Sequence, residues 1–258
     1  MIINGERGYV KMNRVNYDFS GQRALITGAT SGLGARFAEV LAAHGADVVV
    51  TGRRVERLKS LCEKIGARAA ALPLDVTDRA SVDACVAAAG DIDILVNNAG
   101  LNVQARAADV VEADYDLIMN TNVKGAFFMA QAVAKRMMAR GKGGRIVNVA
   151  SIGAFKALPG LTVYSMSKAA VAMMTQGLAR EWAKHSINVN ALCPGFILTE
   201  INQAWFDTEG GQKQIAGFPR RRVGEPKDLD RALLLLASEE SRFITGSLFT
   251  IDDGQLLA

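Results

Sequence analysis

From residue 22 onward, short apolar runs alternate with stretches whose apolar positions recur at helical spacing. RALIT (23–27), DVVVT (47–51), AAALPL (69–74), DIDILV (91–96), GRIVNV (144–149), INVNAL (187–192) and SLFTI (247–251) read as strands. Between them the pattern predicts helices from about Leu33 to Ala43, from Val55 to Ile65, from near Asp78, from Glu112 to Arg140, from Val163 to Lys184 and from Pro226 to Leu236. Gly45 and Gly66 stop the first two. Strands this apolar must be covered on both faces, which implies an α/β fold with a doubly wound parallel sheet of about seven strands. No linker interrupts the alternation, so residues 21–258 read as one domain behind a flexible leader, 1–20. The longest irregular stretch, about 196–220, has the length of a lid or binding loop.

Composition narrows the classes. Half of the 258 residues are apolar, and 30 basic against 26 acidic residues leave a net charge of +4. That balance is too small to imply a nucleic-acid partner, and no apolar run nears the ~18 residues that span a bilayer. The opening MIINGERGYVKMNRVNY carries Glu6 and no unbroken apolar stretch, so it does not read as a signal peptide. Met12 is a candidate natural start, and the expected location is cytoplasmic. Cys62, Cys85 and Cys193 are odd in number and lack metal-ligand spacing, as buried thiols in a reducing compartment do. The two histidines, His44 and His185, fall near expected helix C-termini, and no metal site is expected.

The chemistry starts where the first strand turns into the first helix. TGATSGLG, 27–34, sets Gly28, Gly32 and Gly34 around Thr30, Ser31 and Leu33. Glycines there let the backbone turn sharply and approach a ligand, and the helix N-terminus favours an anion such as a pyrophosphate. The expectation is a Rossmann-like dinucleotide site. An acidic residue at the end of the second strand would bind ribose hydroxyls; this chain has Thr51-Gly52-Arg53-Arg54 instead. Guanidinium groups grip phosphate, so NADP(H) is expected over NAD(H), with solvated charges the plainer reading of Arg53 and Arg54. Asp75, ahead of Val76 at the end of the third strand, suits an adenine amino group or a helix N-terminus, although Asp78 fits the latter better.

YSMSK, 164–168, places Tyr164 and Lys168 four apart, on one helix face. Ser151 ends the fifth strand thirteen residues before Tyr164, and Asn122 lies in NTNVKG beside the competing Asn120. Together with TGATSGLG, the Asn97-Asn98-Ala99-Gly100 run and Pro194-Gly195, these motifs resemble the short-chain dehydrogenase/reductase family from Gly21 to the C-terminus. The resemblance implies hydride transfer between a nicotinamide and a carbonyl or secondary alcohol, with Tyr164 as general acid and base. A lysine charge ~4 Å away, at an effective dielectric near 20, contributes about 4 kcal/mol, roughly three pKa units off the phenol. Lys168 would supply it and hold the nicotinamide ribose. Ser151 would donate to the substrate oxygen and Asn122 would steady a water. Asn98, Ala99 and Gly100 would pack on the cofactor, and Pro194, Gly195, Ile197 and Thr199 would shape the nicotinamide pocket.

The resemblance also implies a homotetramer or homodimer through helices around 112–140 and 162–184 and through Leu256 and Leu257. The ending Asp253-Gly254-Gln255 departs from the family's Asp-Gly-Gly. Trp205, Phe206, Ile215 and Phe218 either line an apolar substrate pocket or pack the lid, with Gly210-Gly211 as a candidate hinge. Arg220-Arg221-Arg222 reads as a solvated or subunit-facing cluster, or more sharply as a site for an acidic carrier or coenzyme A phosphate. Alternatives within the family are an NAD(H)-dependent alcohol dehydrogenase and a 3-oxoacyl-carrier-protein reductase; outside catalysis, a sensor or a nucleic-acid-associated protein.

Overall fold

The computed structural model describes residues 16–200 and 202–257. Among these residues, seven strands form one sheet: β1 (Arg23–Ile26), β2 (Asp47–Gly52), β3 (Ala69–Pro73), β4 (Ile94–Asn97), β5 (Gly144–Val149), β6 (Ile187–Pro194) and β7 (Leu248–Ile251). Their order is β3-β2-β1-β4-β5-β6-β7 and every pairing is parallel. The order reverses between β1 and β4, opening a crevice at their carboxyl ends, where ligands bind in such sheets.

Among the described residues, nine α-helices accompany the strands: α1 (Gly32–Ala43), α2 (Val55–Ile65), α3 (Arg79–Ala89), α4 (Glu112–Met119), α5 (Ala126–Arg140), α6 (Thr162–Trp182), α7 (Gln203–Phe206), α8 (Glu209–Ala216) and α9 (Asp230–Ala237). Alternate side chains of each strand enter opposite layers. Ile26, Val48, Val50 and Val96 pack with Phe37 and Leu41 of α1, Leu58 of α2 and Leu233 of α9. Leu25, Val49, Leu95 and Ile146 pack with Val82 of α3, Met129 and Val133 of α5 and Trp182 of α6. Among the described residues, no helix is long and apolar enough to cross a membrane.

Three expectations change. Most of the leader, 1–15, lies outside the described residues, but Tyr17 packs on the core and Phe19 is wholly buried, so 17–20 belong to the packed chain. The long helix expected over 112–140 contains a π turn, Asn120–Gly125, between α4 and α5. The 196–220 stretch is partly helical: Thr208 caps α8 by accepting the Gly211 N–H at 3.1 Å. Its short helices escape a periodicity test because one or two turns hold too few apolar positions.

Candidate active site

The glycine-rich turn leaves β1 under tight constraint. Thr27 Oγ1 accepts the N–H groups of Asn98 and Ala99, both at 2.9 Å, and Asn98 Nδ2 donates to Thr27 O at 2.9 Å. Gly28 has φ +66°, and a Cβ there would stand 2.9 Å from Ala99 Cα. A Cβ on Gly34 would stand 2.4 Å from Gly28 O. No side chain fits at either position, so the backbone itself faces the crevice, with the N-terminus of α1 behind it. That cradle fits a pyrophosphate.

Ser31 precedes α1 in extended conformation, and its hydroxyl accepts Arg54 Nη2 at 2.9 Å. Arg54 also donates through Nε to Thr30 Oγ1 at 3.1 Å. Both arginines after β2 are exposed, and Arg54 is tied at the rim of the cradle by these hydrogen bonds. Asp75 Oδ1 accepts the Thr77 hydroxyl at 2.7 Å and the Thr77 N–H at 2.9 Å. The Thr77 hydroxyl first, then its N–H and the nearby Arg53 charge, hold Asp75 below the usual carboxylate range against its burial. Asp78, not Asp75, caps α3, accepting the Ala80 N–H at 2.9 Å. Val76 is buried, and its carbonyl would lie 2.8 Å from a Cβ on Gly125 in the π turn.

Across the crevice, Ser151 leaves β5 and Tyr164 stands in the first turn of α6. Their side chains share a hydrogen bond. Ser151 Oγ also accepts the Gly153 N–H at 3.0 Å. Lys168, one turn on and 5 % exposed, donates from Nζ to Val149 O at 2.8 Å, and Nζ lies 5.6 Å from the Tyr164 ring centre. A Cβ on Gly100 would stand 3.4 Å from Lys168 Nζ and 3.2 Å from Asn122 Oδ1, so the Asn98–Gly100 strand end lies against both.

The π turn explains Asn122. Its extra residue swings the side chain inward, where Oδ1 accepts the Leu101 N–H at 2.8 Å and Nδ2 donates to Leu101 O at 2.9 Å and to Ser167 Oγ at 3.0 Å. Ser167 in turn donates to Tyr164 O at 2.7 Å. Asn122 is buried and Asn120 is only partly so. Ser167 went unread in the sequence, although it lies one helical turn after Tyr164 on the same helix.

The electrostatics depart from one expectation. Burial pushes the Tyr164 phenol above its ordinary value, and the Ser151 hydrogen bond opposes that only in part. The expected net depression by Lys168 is absent, because Nζ is spent on Val149 O and faces the ring, not the hydroxyl. Burial brings Lys168 itself down to about 8. Cys193, buried on β6 beside this lysine, is pushed up to about 11 by its burial and stays a thiol at neutral pH.

The lid root closes the third side. Ile197 is buried and bridges to Gly224, and Thr199 lies over the glycine turn, 3.6 Å from a Cβ placed on Gly32. Gly195 donates its N–H to Ile251 O at 3.0 Å, pinning the Pro194-Gly195 corner to the end of β7. Phe196 stacks on Phe218 at 5.4 Å and meets Phe206 edge-on at 6.0 Å. Phe206 and Phe218 thus pack the lid, while Trp205 is 42 % exposed with Nε1 on Gln214 Oε1. Gly210 and Gly211 lie inside α8, where a Cβ on Gly211 would stand 2.2 Å from Trp205 O. Close helix approach accounts for that glycine, not a hinge. Arg220 and Arg222 both pair with Asp253, at 3.2 and 2.7 Å.

Known proteins resemble this chain in sequence and in fold. The short chain dehydrogenase family model matches residues 22–210. Gluconate 5-dehydrogenase of Gluconobacter oxydans is 39% identical over 246 residues, 92% of this chain and 96% of that one. The 2-dehydro-3-deoxy-D-gluconate 5-dehydrogenase of Dickeya dadantii is 39% identical over 248 residues, 93% and 97% of the two chains. A gluconate 5-dehydrogenase from Burkholderia cenocepacia J2315, solved in complex with NADP and tartrate, superposes with a TM-score of 0.89 at 36% identity, covering 94% of this chain and 98% of that one. The chain belongs to the short-chain dehydrogenase/reductase family of oxidoreductases.

Proposed function

We propose that this protein transfers a hydride between NADP(H) and a carbonyl or secondary alcohol, with Tyr164 as general acid and base. The observation that carries the reading is the Tyr164 phenol within the influence of the Ser151 hydroxyl, with the buried Lys168 ammonium beneath its ring. The nicotinamide, when bound, supplies or accepts the hydride. Gly28, Gly32, Gly34 and the start of α1 would hold its pyrophosphate, Arg54 with Arg53 the adenosine 2′-phosphate, and Asp75 and Val76 the adenine side. Asn98, Ala99, Gly100, Pro194, Gly195, Ile197 and Thr199 would line its nicotinamide half.

Burial keeps Tyr164 protonated at neutral pH, which suits the donor role: its proton passes to the carbonyl oxygen in reduction. Ser151 Oγ hydrogen-bonds the same oxygen as charge develops on it. Lys168, charged below about pH 8, sits beneath the Tyr164 ring and would hold the nicotinamide ribose. The Asn122 side chain is engaged by Leu101 and Ser167, so its contribution is to hold main chain beside Lys168.

The relatives named for gluconate, sorbitol and galactitol chemistry support a polyhydroxylated substrate. Arg220 and Arg222, paired with Asp253, argue against an acidic-carrier site. The place of action proposed is the cytoplasm, and the assembly a homodimer or homotetramer. The deciding experiment measures hydride transfer from D-gluconate and sorbitol to NADP+ or NAD+, and from NADPH or NADH to a 3-oxoacyl thioester series. Tyr164→Phe is expected to remove at least ~10²-fold of turnover while leaving NADPH binding intact. Preserved turnover assigns the proton to another group.

A further inference from the structure

The last turn of the chain ties both walls of the crevice together. Gln255 is 4 % exposed and opens the short 3-10 turn Gln255–Leu257. Its side-chain Oε1 accepts the Phe196 N–H at 2.7 Å, across 59 residues of chain. Its main-chain carbonyl accepts Lys156 Nζ at 3.3 Å. Phe196 follows the Pro194-Gly195 corner and carries the ring on which Phe206 and Phe218 pack. Lys156 belongs to the segment between Ser151 and Tyr164. One residue thus fastens the lid root and the segment that joins Ser151 to Tyr164.

The fit is close. A Cβ on Gly195 would stand 2.4 Å from Gln255 Oε1, so this amide reaches its position only because residue 195 has no side chain. The turn is braced from within: Asp252 Oδ1 accepts the Gly254 N–H at 3.0 Å and Oδ2 the Leu256 N–H at 2.8 Å. Asp253, at φ +53°, holds Arg220 and Arg222 at the far end of the lid. Both ends of the lid are therefore anchored on residues 253–255, where the family ending reads Asp-Gly-Gly.

We propose that Gln255 is a positioning residue for hydride transfer, holding the Pro194–Phe196 corner in register with Ser151 and Tyr164. It acts through Phe196 and Lys156. The inference rests on the oxidoreductase reading for its kinetic consequence, but not for its structural one. Methionine has the length of glutamine without the acceptor, and it would leave the part-buried Phe196 N–H without its partner, so the corner would move to find another. A shift near 1 Å at a reacting centre can cost about 10²-fold in rate. Glutamate keeps the acceptor at the same length of side chain.

The test compares wild type, Gln255→Met and Gln255→Glu in the full chain by hydrogen–deuterium exchange and by D-gluconate oxidation with NADP+. In Gln255→Met, peptides covering 195–206 and 152–161 should exchange faster and kcat should fall by about 10- to 100-fold. NADPH affinity, read by fluorescence, should fall by less than kcat does, because the pyrophosphate cradle at Gly28–Gly34 is untouched. Gln255→Glu should restore both slow exchange and kcat. Unchanged exchange at 195–206 in Gln255→Met overturns the proposal, and so does a glutamate variant that behaves like the methionine one. If the methionine variant does not fold, Lys156→Met releases one wall alone; it should loosen 152–161 and spare 195–206, and no loosening there overturns the tie. Wild-type enzyme inert toward D-gluconate would sink the substrate reading, while the exchange result still decides this one.

Discussion

At the scale of single residues, the candidate chemistry was legible where contiguous motifs set the spacing. Tyr164 and Lys168 share a face because they are four apart on α6, and Gly28 and Gly34 are glycines because neighbouring backbone occupies the space of a Cβ. Ser167 and Gln255 were not legible, because their importance lies in contacts with distant backbone that no local pattern announces. Lys168 carries a pH-dependent prediction. Its folded pKa of about 8 lies below the ordinary 10.5, so the folded state binds its proton less tightly than the unfolded chain does. The resulting destabilisation is fully present below pH 8 and is relieved as pH rises toward 10.5. Lys168→Met should remove a rise in unfolding free energy on the order of 3 kcal/mol across that window, measured by denaturant titration. Equal slopes in both proteins would refute the shift. Arg54→Ala should lower kcat/KM for NADPH by about 10- to 100-fold, the worth of one or two charge-assisted hydrogen bonds. NADH kinetics should hardly change, and an equal loss with both cofactors would return Arg54 to a structural role beside Thr30 and Ser31.

At the scale of elements, the inner strands were legible because a strand buried on both faces is an unbroken apolar run, and the partly exposed edge strands β3 and β7 because their short apolar runs sit between helical patterns. The π turn was not, because one inserted residue leaves the surrounding helical periodicity intact while turning Asn122 toward Leu101. The lid helices were hidden by their shortness, and their two glycines invited a hinge reading that the packing contradicts. The two positions give a sharp contrast. A Cβ on Gly210 would meet Trp205 Cη2 at 3.0 Å, the far end of an exposed side chain that can swing away. A Cβ on Gly211 would meet the Trp205 carbonyl at 2.2 Å and Phe206 Cα at 2.6 Å, which are backbone and cannot. Gly211→Ala should therefore push α8 off α7 and speed tryptic cleavage in the lid, at a local cost of about 1–3 kcal/mol. Gly210→Ala should cleave like wild type. Identical cleavage of the two variants would mean that the α7–α8 contact does not hold the lid.

At the scale of the whole molecule, the sheet order brings the cradle and the Ser151–Tyr164 pair to one edge, leaving the outer face of α6 free for another purpose. Met166 and Met173 are 46 % and 67 % exposed, two helical turns apart on that helix, with Ala170 between them. A Cβ on Gly177, one turn further, would meet nothing within 4 Å. Exposed methionines flanking small residues make a ridge that a second helix can approach closely, and a two-fold axis through it would set Met173 against the same stripe of a second copy. The paired face would brace α6 from the side opposite Tyr164 and Lys168, so assembly and catalytic geometry would share one helix. Met173→Glu places like charges across that axis, and removal from water of a carboxylate with no partner is costly. The expected outcome is an assembly reduced to a smaller one by sedimentation equilibrium, with the far-ultraviolet circular dichroism of wild type retained. A wild-type chain that sediments as a monomer, or a glutamate variant of undiminished mass, would place the subunit contact elsewhere or nowhere.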